Sequence, residues 1–479
     1  MASKSVTCAS GQQVNGSFPS DYVSGVSVLS YLLNTPEDTA AMLETIGVPS
    51  IDALFAPIPA ELRMNRALDI PPAMSEQELT QHAAKLAAEN HAAGDGLCFL
   101  GGGAYDHFIP SVVDAIASRS EFYTAYTPYQ AEASQGSLQA FFEFQSMICE
   151  LTSMDVANAS LYEGGSGIAE AVLLAINVTD GRREVLIAES VHPEYRQVLV
   201  TYLENLNCSI VTLPTPDGSL NPDDVKKAIS DKTVAVVVQH PNFFGNLEEV
   251  QSLTEIAQKH GALSIVSIDP ISLGILKRPG QYGADIVVAE GQGLGTPLSY
   301  GGPYLGIMAC KQEFLRKMPG RLVGQTVDRN GKRCWVLTLQ TREQHIRREK
   351  ATSNICSNQA LLALRASVYL TALGPQGLKE TAELCLNKAH YAASTLAKIP
   401  GVSLRFDRPF FKEFTLRLPG NVNDVLAILR KEGIHAGLNL GTWYKPLGDC
   451  ISIAVTEKRT REEIDLLAAR LGAITTSHT

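Results

Sequence analysis

Long apolar runs are missing from this chain. No uninterrupted stretch approaches the roughly 18 residues that a membrane-spanning helix requires, so no membrane helix is expected. The N-terminus shows no signal-peptide core and no arginine before Arg63, which points to the cytoplasm rather than to export or an organelle. Positive charge is in deficit: 40 Lys and Arg stand against 50 Asp and Glu, a net charge of -10. Such a field repels polyanions and gives no reason to expect a nucleic-acid partner. The nine cysteines (8, 98, 149, 208, 310, 334, 356, 385, 450) are odd in number and scattered, with no C-x-x-C among them. Free thiols in a reducing compartment fit that pattern, and no metal site is expected. No G-x-G-x-x-G follows a first strand either; Gly291-Gln-Gly-Leu-Gly295 is too short and comes too late for a dinucleotide fold.

What is present is a chain of 479 residues and 51.6 kDa with 45% hydrophobic residues, enough for two or three domains. Residues 1–20 are rich in Ser, Gly, Asn and Gln and read as a loose tail. Asn34-Thr35-Pro36-Glu37-Asp38 then opens a helix with a capping hydroxyl, a proline at its first position and acids in its first turn. Ser50 starts a short second helix, and Ser75-Glu-Gln-Glu78 a third with a capping-box pattern. We expect an N-terminal tail and helical region at 1–95, a large α/β domain at 96–365 and a small C-terminal α+β domain at 366–479.

The large domain is read from its strands. Glu184–Glu189, Cys208–Leu213, Thr233–Gln239, Leu263–Ile268 and Asp285–Ala289 are short, β-branched and apolar on successive residues, as strands covered on both faces are. Helical stretches near 166–178, 193–206, 222–230 and 248–260 separate them, giving an open, mostly parallel sheet. Ligand sites in such sheets gather beyond the carboxyl ends of the strands, where His192, Gln239-His240, Asp269 and Glu290 fall. After a long helix starting near Ser357, the pattern changes to strands at 402–405, 414–418 and 451–455 with helices at 422–432 and from Thr460.

Several motifs are collinear along the chain: Gly101-Gly-Gly-Ala-Tyr105-Asp-His107-Phe-Ile-Pro110, Tyr126-Thr-Pro-Tyr129-Gln130-Ala-Glu132-Ala-Ser-Gln-Gly136, Glu290-Gly-Gln-Gly-Leu-Gly295, Tyr300-Gly-Gly-Pro-Tyr-Leu-Gly306, and Arg342-Glu-Gln-His-Ile-Arg-Arg-Glu-Lys350. Together they resemble fold-type I pyridoxal-phosphate enzymes and, within these, the glycine decarboxylase P-protein of the glycine cleavage system. The resemblance is specifically to the amino-terminal half, encoded in many bacteria as a separate subunit 1. The resemblance implies a heteromeric enzyme that decarboxylates glycine and passes the aminomethyl group to the lipoyl arm of the H-protein. It also implies that the second subunit holds pyridoxal phosphate on a Schiff-base lysine, where Glu290 to Gly295 stand here. Between Asp269 and Gly301 this chain has only Lys277, eight residues after Asp269 and too early for that role.

Each candidate residue carries two readings. Gly164, Gly165, Ser166 and Gly167 open a helix, where relatives rest the cofactor phosphate; the other reading is an inherited capped loop. By the resemblance, Asp269 matches the carboxylate that faces the pyridine nitrogen and His192 the ring that stacks on the cofactor. Asp-Pro is equally a turn opener, and a strand-end histidine is equally structural. Tyr105, His107, Tyr126, Tyr129, Gln130 and Glu132 are candidates for lending polar groups to a partner's site, or for a hydrogen-bonded hinge. Arg342, with Arg347, Arg348 and Lys350, is a candidate for capturing a carboxylate or an acidic partner face, or forms a solvated helix surface. The rivals to a supporting subunit are a non-catalytic scaffold of the same complex and a self-sufficient enzyme using Lys277 or Lys311.

Overall fold

Capping chemistry sets the first elements. In the computed structural model, which describes residues 33–476 except 65, 67 and 357, Thr35 caps the helix Pro36–Ile46 and Asp38 returns the hydrogen bond. Ser75 and Glu78 do the same for Glu76–Ala87, and Ser50 caps the short turn Ile51–Leu54. The expected tail at 1–20 lies outside the described residues. The chain divides into two units, Met1–Glu89 and Asn90–Thr479.

In the second unit the β-branched runs form a seven-stranded sheet. Its spatial order is Val156–Ala157, Gly306–Cys310, Ile286–Glu290, Leu263–Ile268, Thr233–His240, Glu184–Ala188 and Ser209–Leu213. The last five are mutually parallel; Gly306–Cys310 runs antiparallel to both of its neighbours. Ile265, Val266, Ile286, Val287 and Val288 are all fully buried, which is why these strands show no polar alternation. The helix Gly164–Val178 packs on the sheet along nearly its whole length, with eleven of its residues buried.

The C-terminal part has its own core. A four-stranded sheet, ordered Ser403–Leu404, Glu413–Arg417, Cys450–Ala454 and Leu438–Asn439, packs with helices Val422–Lys431 and Arg461–Thr476. The long helix Ala360–Leu396 contributes to both cores and bends at Gly374 (φ 63°), just before Pro375, which lacks an amide donor. Gly306–Cys310 and the hairpin Leu322–Val327 with Arg333–Thr338 are strands that the apolar-run reading passed over. The expected 402–405 strand shortens to Ser403–Leu404, since Ser403 and Leu404 pair only with Arg417 and Leu416.

Candidate active-site region

The carboxyl ends of the central strands do converge on one polar region. Asp269 ends its strand and caps the following turn, its Oδ1 accepting from the Ile271 amide at 3.0 Å. Its Oδ2 pairs at 2.7 Å with Nζ of Lys412, a residue only 2% exposed in the C-terminal part of the fold. That ammonium also lies 2.9 Å from His107 Nε2 and 3.5 Å from the Tyr105 ring centroid, a cation–π contact. An ammonium only donates, so His107 Nε2 accepts and the imidazole proton sits on Nδ1, facing Glu457 Oε2 at 2.7 Å. Burial alone would raise the Glu457 carboxyl, but the hydrogen bonds from His107 and the Phe108 amide favour its ionised form and hold it below the usual carboxylate range. Cys385 Sγ lies 3.4 Å from the same carboxylate. His107, Cys385 and Glu457 place possible metal-ligand atoms within 4.8 Å of one another, yet each is already engaged with its neighbour.

Tyr105 closes the other side. Its hydroxyl donates to Glu413 Oε2 at 2.7 Å, and Gly102 N–H donates to Glu413 Oε1 at 2.7 Å. Burial pushes Glu413 up to about 7. Gln292 accepts from the Tyr105 amide and donates to its carbonyl. The polar atoms of Tyr105 and His107 are thus spent inside this chain, and both side chains are buried.

The helix beginning at Gly164 shows what has become of the anion-binding turn. Glu163 is its N-cap: Oε2 accepts from Gly165 N–H at 2.5 Å, and Oε1 accepts from Ser166 N–H at 2.8 Å and from the Ser166 hydroxyl. Glu290 Oε2 accepts from Gly164 N–H at 3.1 Å, while Oε1 takes the amides of Gln292 and Leu305. Burial pushes Glu290 up to about 8 against those three donors. The free amides that would suit a phosphate therefore already hold side-chain carboxylates. Nor is the face of His192 open: Tyr195 stacks on it at 4.3 Å, and Phe243 meets it edge-on at 4.7 Å. His192 Nε2–H donates to the Gly102 carbonyl, Nδ1 accepts from Glu194, and burial lowers the imidazole to about 4.

Pyridoxal phosphate, the cofactor implied by the resemblance, does not fit these residues. A phosphate entering the turn finds the amides of Gly164, Gly165 and Ser166 already donating to Glu290 and Glu163, whose side chains it would have to displace. A pyridine nitrogen finds Asp269 already paired. The space left between Tyr105, Asp269, Glu290 and Lys412 is about 30 Å³, enough for a water or two. Lys277 instead donates to Gln251 at an exposed turn, and Lys311 pairs with Asp285, so neither is delivered to this region.

The remaining candidates lie on a separate surface. Tyr126 is 82% exposed and Tyr129 56%, with Gln130 and Glu132 also exposed beside them. The Arg321 guanidinium lies 5.6 Å from the Tyr129 ring and His345 meets that ring edge-on at 6.0 Å. Arg342 is not free to capture a carboxylate: it donates to the carbonyls of Leu339, Gly320 and Met318. Lys412, Glu163 and Glu457 escaped the sequence reading. The available signal for Lys412 was a charged pair, Lys412-Glu413, set between Phe410-Phe411 and Phe414 at the entry to an apolar strand.

Known proteins resemble this one along nearly its whole length. The family model described as Glycine cleavage system P-protein matches residues 29–471. A protein of Desulforamulus reducens named as a probable glycine dehydrogenase (decarboxylating) subunit 1 is 55% identical over 446 residues, covering 93% of this chain and 100% of that protein. Its counterpart of the same name in Chlorobaculum tepidum is 52% identical over 447 residues with the same coverage. Among solved structures, glycine decarboxylase (P-protein) of the glycine cleavage system in inhibitor-bound form superposes with TM-score 0.85 at 44% identity, over 93% of this chain and 99% of that one. Sphingosine-1-phosphate lyase of Burkholderia pseudomallei matches with TM-score 0.63 at 16% identity, over 88% of this chain and 95% of that one, a likeness of fold alone. The chain belongs to the glycine cleavage system P-protein family.

Proposed function

We propose that this chain is the supporting subunit of a heteromeric glycine decarboxylase. Pyridoxal phosphate is held covalently by subunit 2, and glycine and the lipoyl H-protein are the other partners, in the cytoplasm. The observation that carries this reading is the occupied pocket: Glu163 and Glu290 fill the anion turn, and Lys412 fills the place facing Asp269. A chain that has closed its own pocket contributes through its surface. The loop of Tyr126, Tyr129, Gln130 and Glu132 presents two phenols, an amide and a carboxylate to whatever packs there, groups suited to positioning a substrate and excluding water at a shared face.

The test is an exchange assay between glycine and labelled carbon dioxide with subunit 2 alone and with both chains, together with borohydride reduction and mass mapping of the pyridoxyl label. Activity that requires both chains, with label only on subunit 2, is expected. Full activity of subunit 2 alone, or label on Lys412, Lys277 or Lys311, refutes the reading. Tyr129→Phe and Glu132→Gln are expected to lower kcat while the complex still assembles; unchanged kcat favours the plain scaffold.

A further inference from the structure

We infer that Arg321 is a positioning residue for the assembled enzyme, holding the Tyr129 phenol by the face of its ring, an inference that rests on the supporting-subunit reading above. Arg321 is only 3% exposed and makes no ion pair among the described residues. Its Nη1 donates to Asn358 Oδ1 at 3.0 Å and its Nη2 to the Cys356 carbonyl at 3.1 Å, while Nε has no protein partner. A buried cation without a counter-ion is costly, and an apolar side chain of similar length would fill the site without that desolvation. Stability alone therefore does not account for an arginine here. Nor is it placed to capture a ligand's carboxylate: the cavity beside it, shared with Arg342, Glu343 and Ser353, is about 10 Å³ and admits a water at most. What the guanidinium does reach is Tyr129, whose ring centroid lies 5.6 Å away, within cation–π range.

The Tyr129 ring is gripped while its hydroxyl is free. His345 meets the ring edge-on at 6.0 Å, and the Tyr129 amide donates to the Thr127 carbonyl at 2.9 Å. Within Asn90–Thr479 the Tyr129 hydroxyl takes no hydrogen bond among the described residues, in contrast to that of Tyr105, which is spent on Glu413. The end of the loop is fixed as well: Gln135 Nε2 donates to the carbonyls of Ala131 and Trp335, and its Oε1 accepts from the Trp335 amide. Gln145 makes the matching paired contact with the backbone of Val323. The hairpin Leu322–Val327 with Arg333–Thr338 is thereby clamped to the helix Gln135–Thr152 through both of its strands. Arg321 sits at the entry to that hairpin, so its guanidinium projects from a fixed base. A free hydroxyl on a ring held at face and edge is a placed group, and for such a group a displacement of about 1 Å costs on the order of a hundredfold in rate.

The test uses the complex of full-length chains, with kcat and glycine KM from the exchange assay, assembly from sedimentation and melting temperature from circular dichroism. Arg321→Gln is expected to lower kcat by roughly ten- to a hundredfold, with KM within about threefold of wild type and assembly retained. In the Tyr129→Leu background, where no ring is left to hold, Arg321→Gln is expected to change kcat by less than about twofold. Arg321→Lys keeps the charge but not the fork to Asn358 and Cys356, and it covers the case of a glutamine variant that does not fold. Its smaller loss, about three- to tenfold, is expected to vanish in the same background. Equal losses in both backgrounds assign Arg321 a general packing role and overturn the inference, as does wild-type kcat in both Arg321 variants. Tyr129→Leu at wild-type kcat brings down the supporting role of the loop itself, whereas an impaired Tyr129→Leu beside unimpaired Arg321 variants brings down only the role of Arg321.

Discussion

Replacing Lys412 with methionine is expected to destabilise the fold by about 3–5 kcal/mol, the cost of leaving one partner of a buried ion pair alone. The stem keeps its volume, so little of the loss comes from a cavity. What disappears is the 2.7 Å pair with Asp269, the hydrogen bond to His107 Nε2 and the cation over Tyr105. Asp269 keeps only the Ile271 amide as a partner in the network. With ~2.1 cal/mol/K of unfolding entropy per residue, a unit of roughly 390 residues loses about 5 °C of melting temperature for ~4 kcal/mol. The assay is thermal unfolding of Lys412→Met, Asp269→Asn and the double variant by circular dichroism. The double variant is expected to recover part of the loss, because removing both charges spares the desolvation of an orphan. A Lys412→Met protein melting within 1 °C of wild type, or a double variant equal to the sum of the singles, refutes the claim that this lysine neutralises the pocket.

Acid should also weaken the fold through His192 and His240, both lowered to about 4 by burial. Their folded state favours neutral imidazole, so this stability is full above pH ~6.5 and is lost as pH falls toward 4, up to roughly 3 kcal/mol each; His192→Gln is expected to flatten part of that fall in a melting-temperature series. Arg342→Lys is expected to cost about 2 kcal/mol of stability, since an ammonium does not reproduce a fork serving three carbonyls, with the glycine KM of the assembled enzyme unchanged. A raised KM at wild-type stability would return Arg342 to substrate binding. Gly245→Ala is expected to prevent folding: Gly245 has φ +87°, and a Cβ there would lie 1.9 Å from the Glu413 carbonyl oxygen. Soluble protein with a wild-type melt would refute that packing.

Much of the fold was legible because its signals are local. Thr35-Pro36 and Ser75 announce their helices through groups three residues apart, and the five parallel strands show themselves by uninterrupted apolar runs. The strand Gly306–Cys310 was not legible: its sequence follows a glycine-rich turn, and only pairing with Ile286–Glu290 makes it a strand. The site divides in the same way. Asp269, His192 and Gly164 to Gly167 were visible as strand-end and helix-start residues, but apart from the adjacent Glu163 the groups that occupy them come from elsewhere in the chain. Lys412 lies 143 positions from Asp269, and Glu290 lies 126 from Gly164.

By itself, the sequence determined the family, the absence of a lysine between Asp269 and Gly301 other than Lys277, and the alternation that builds the sheet, because identity and periodicity are properties of residues in order. Only the tertiary structure decided that the pocket is filled rather than empty. Whether the turn and the strand end stay open depends on the rotamer of the adjacent Glu163 and on where side chains from distant segments come to rest. Here Glu163, Glu290 and Lys412 come to rest inside it.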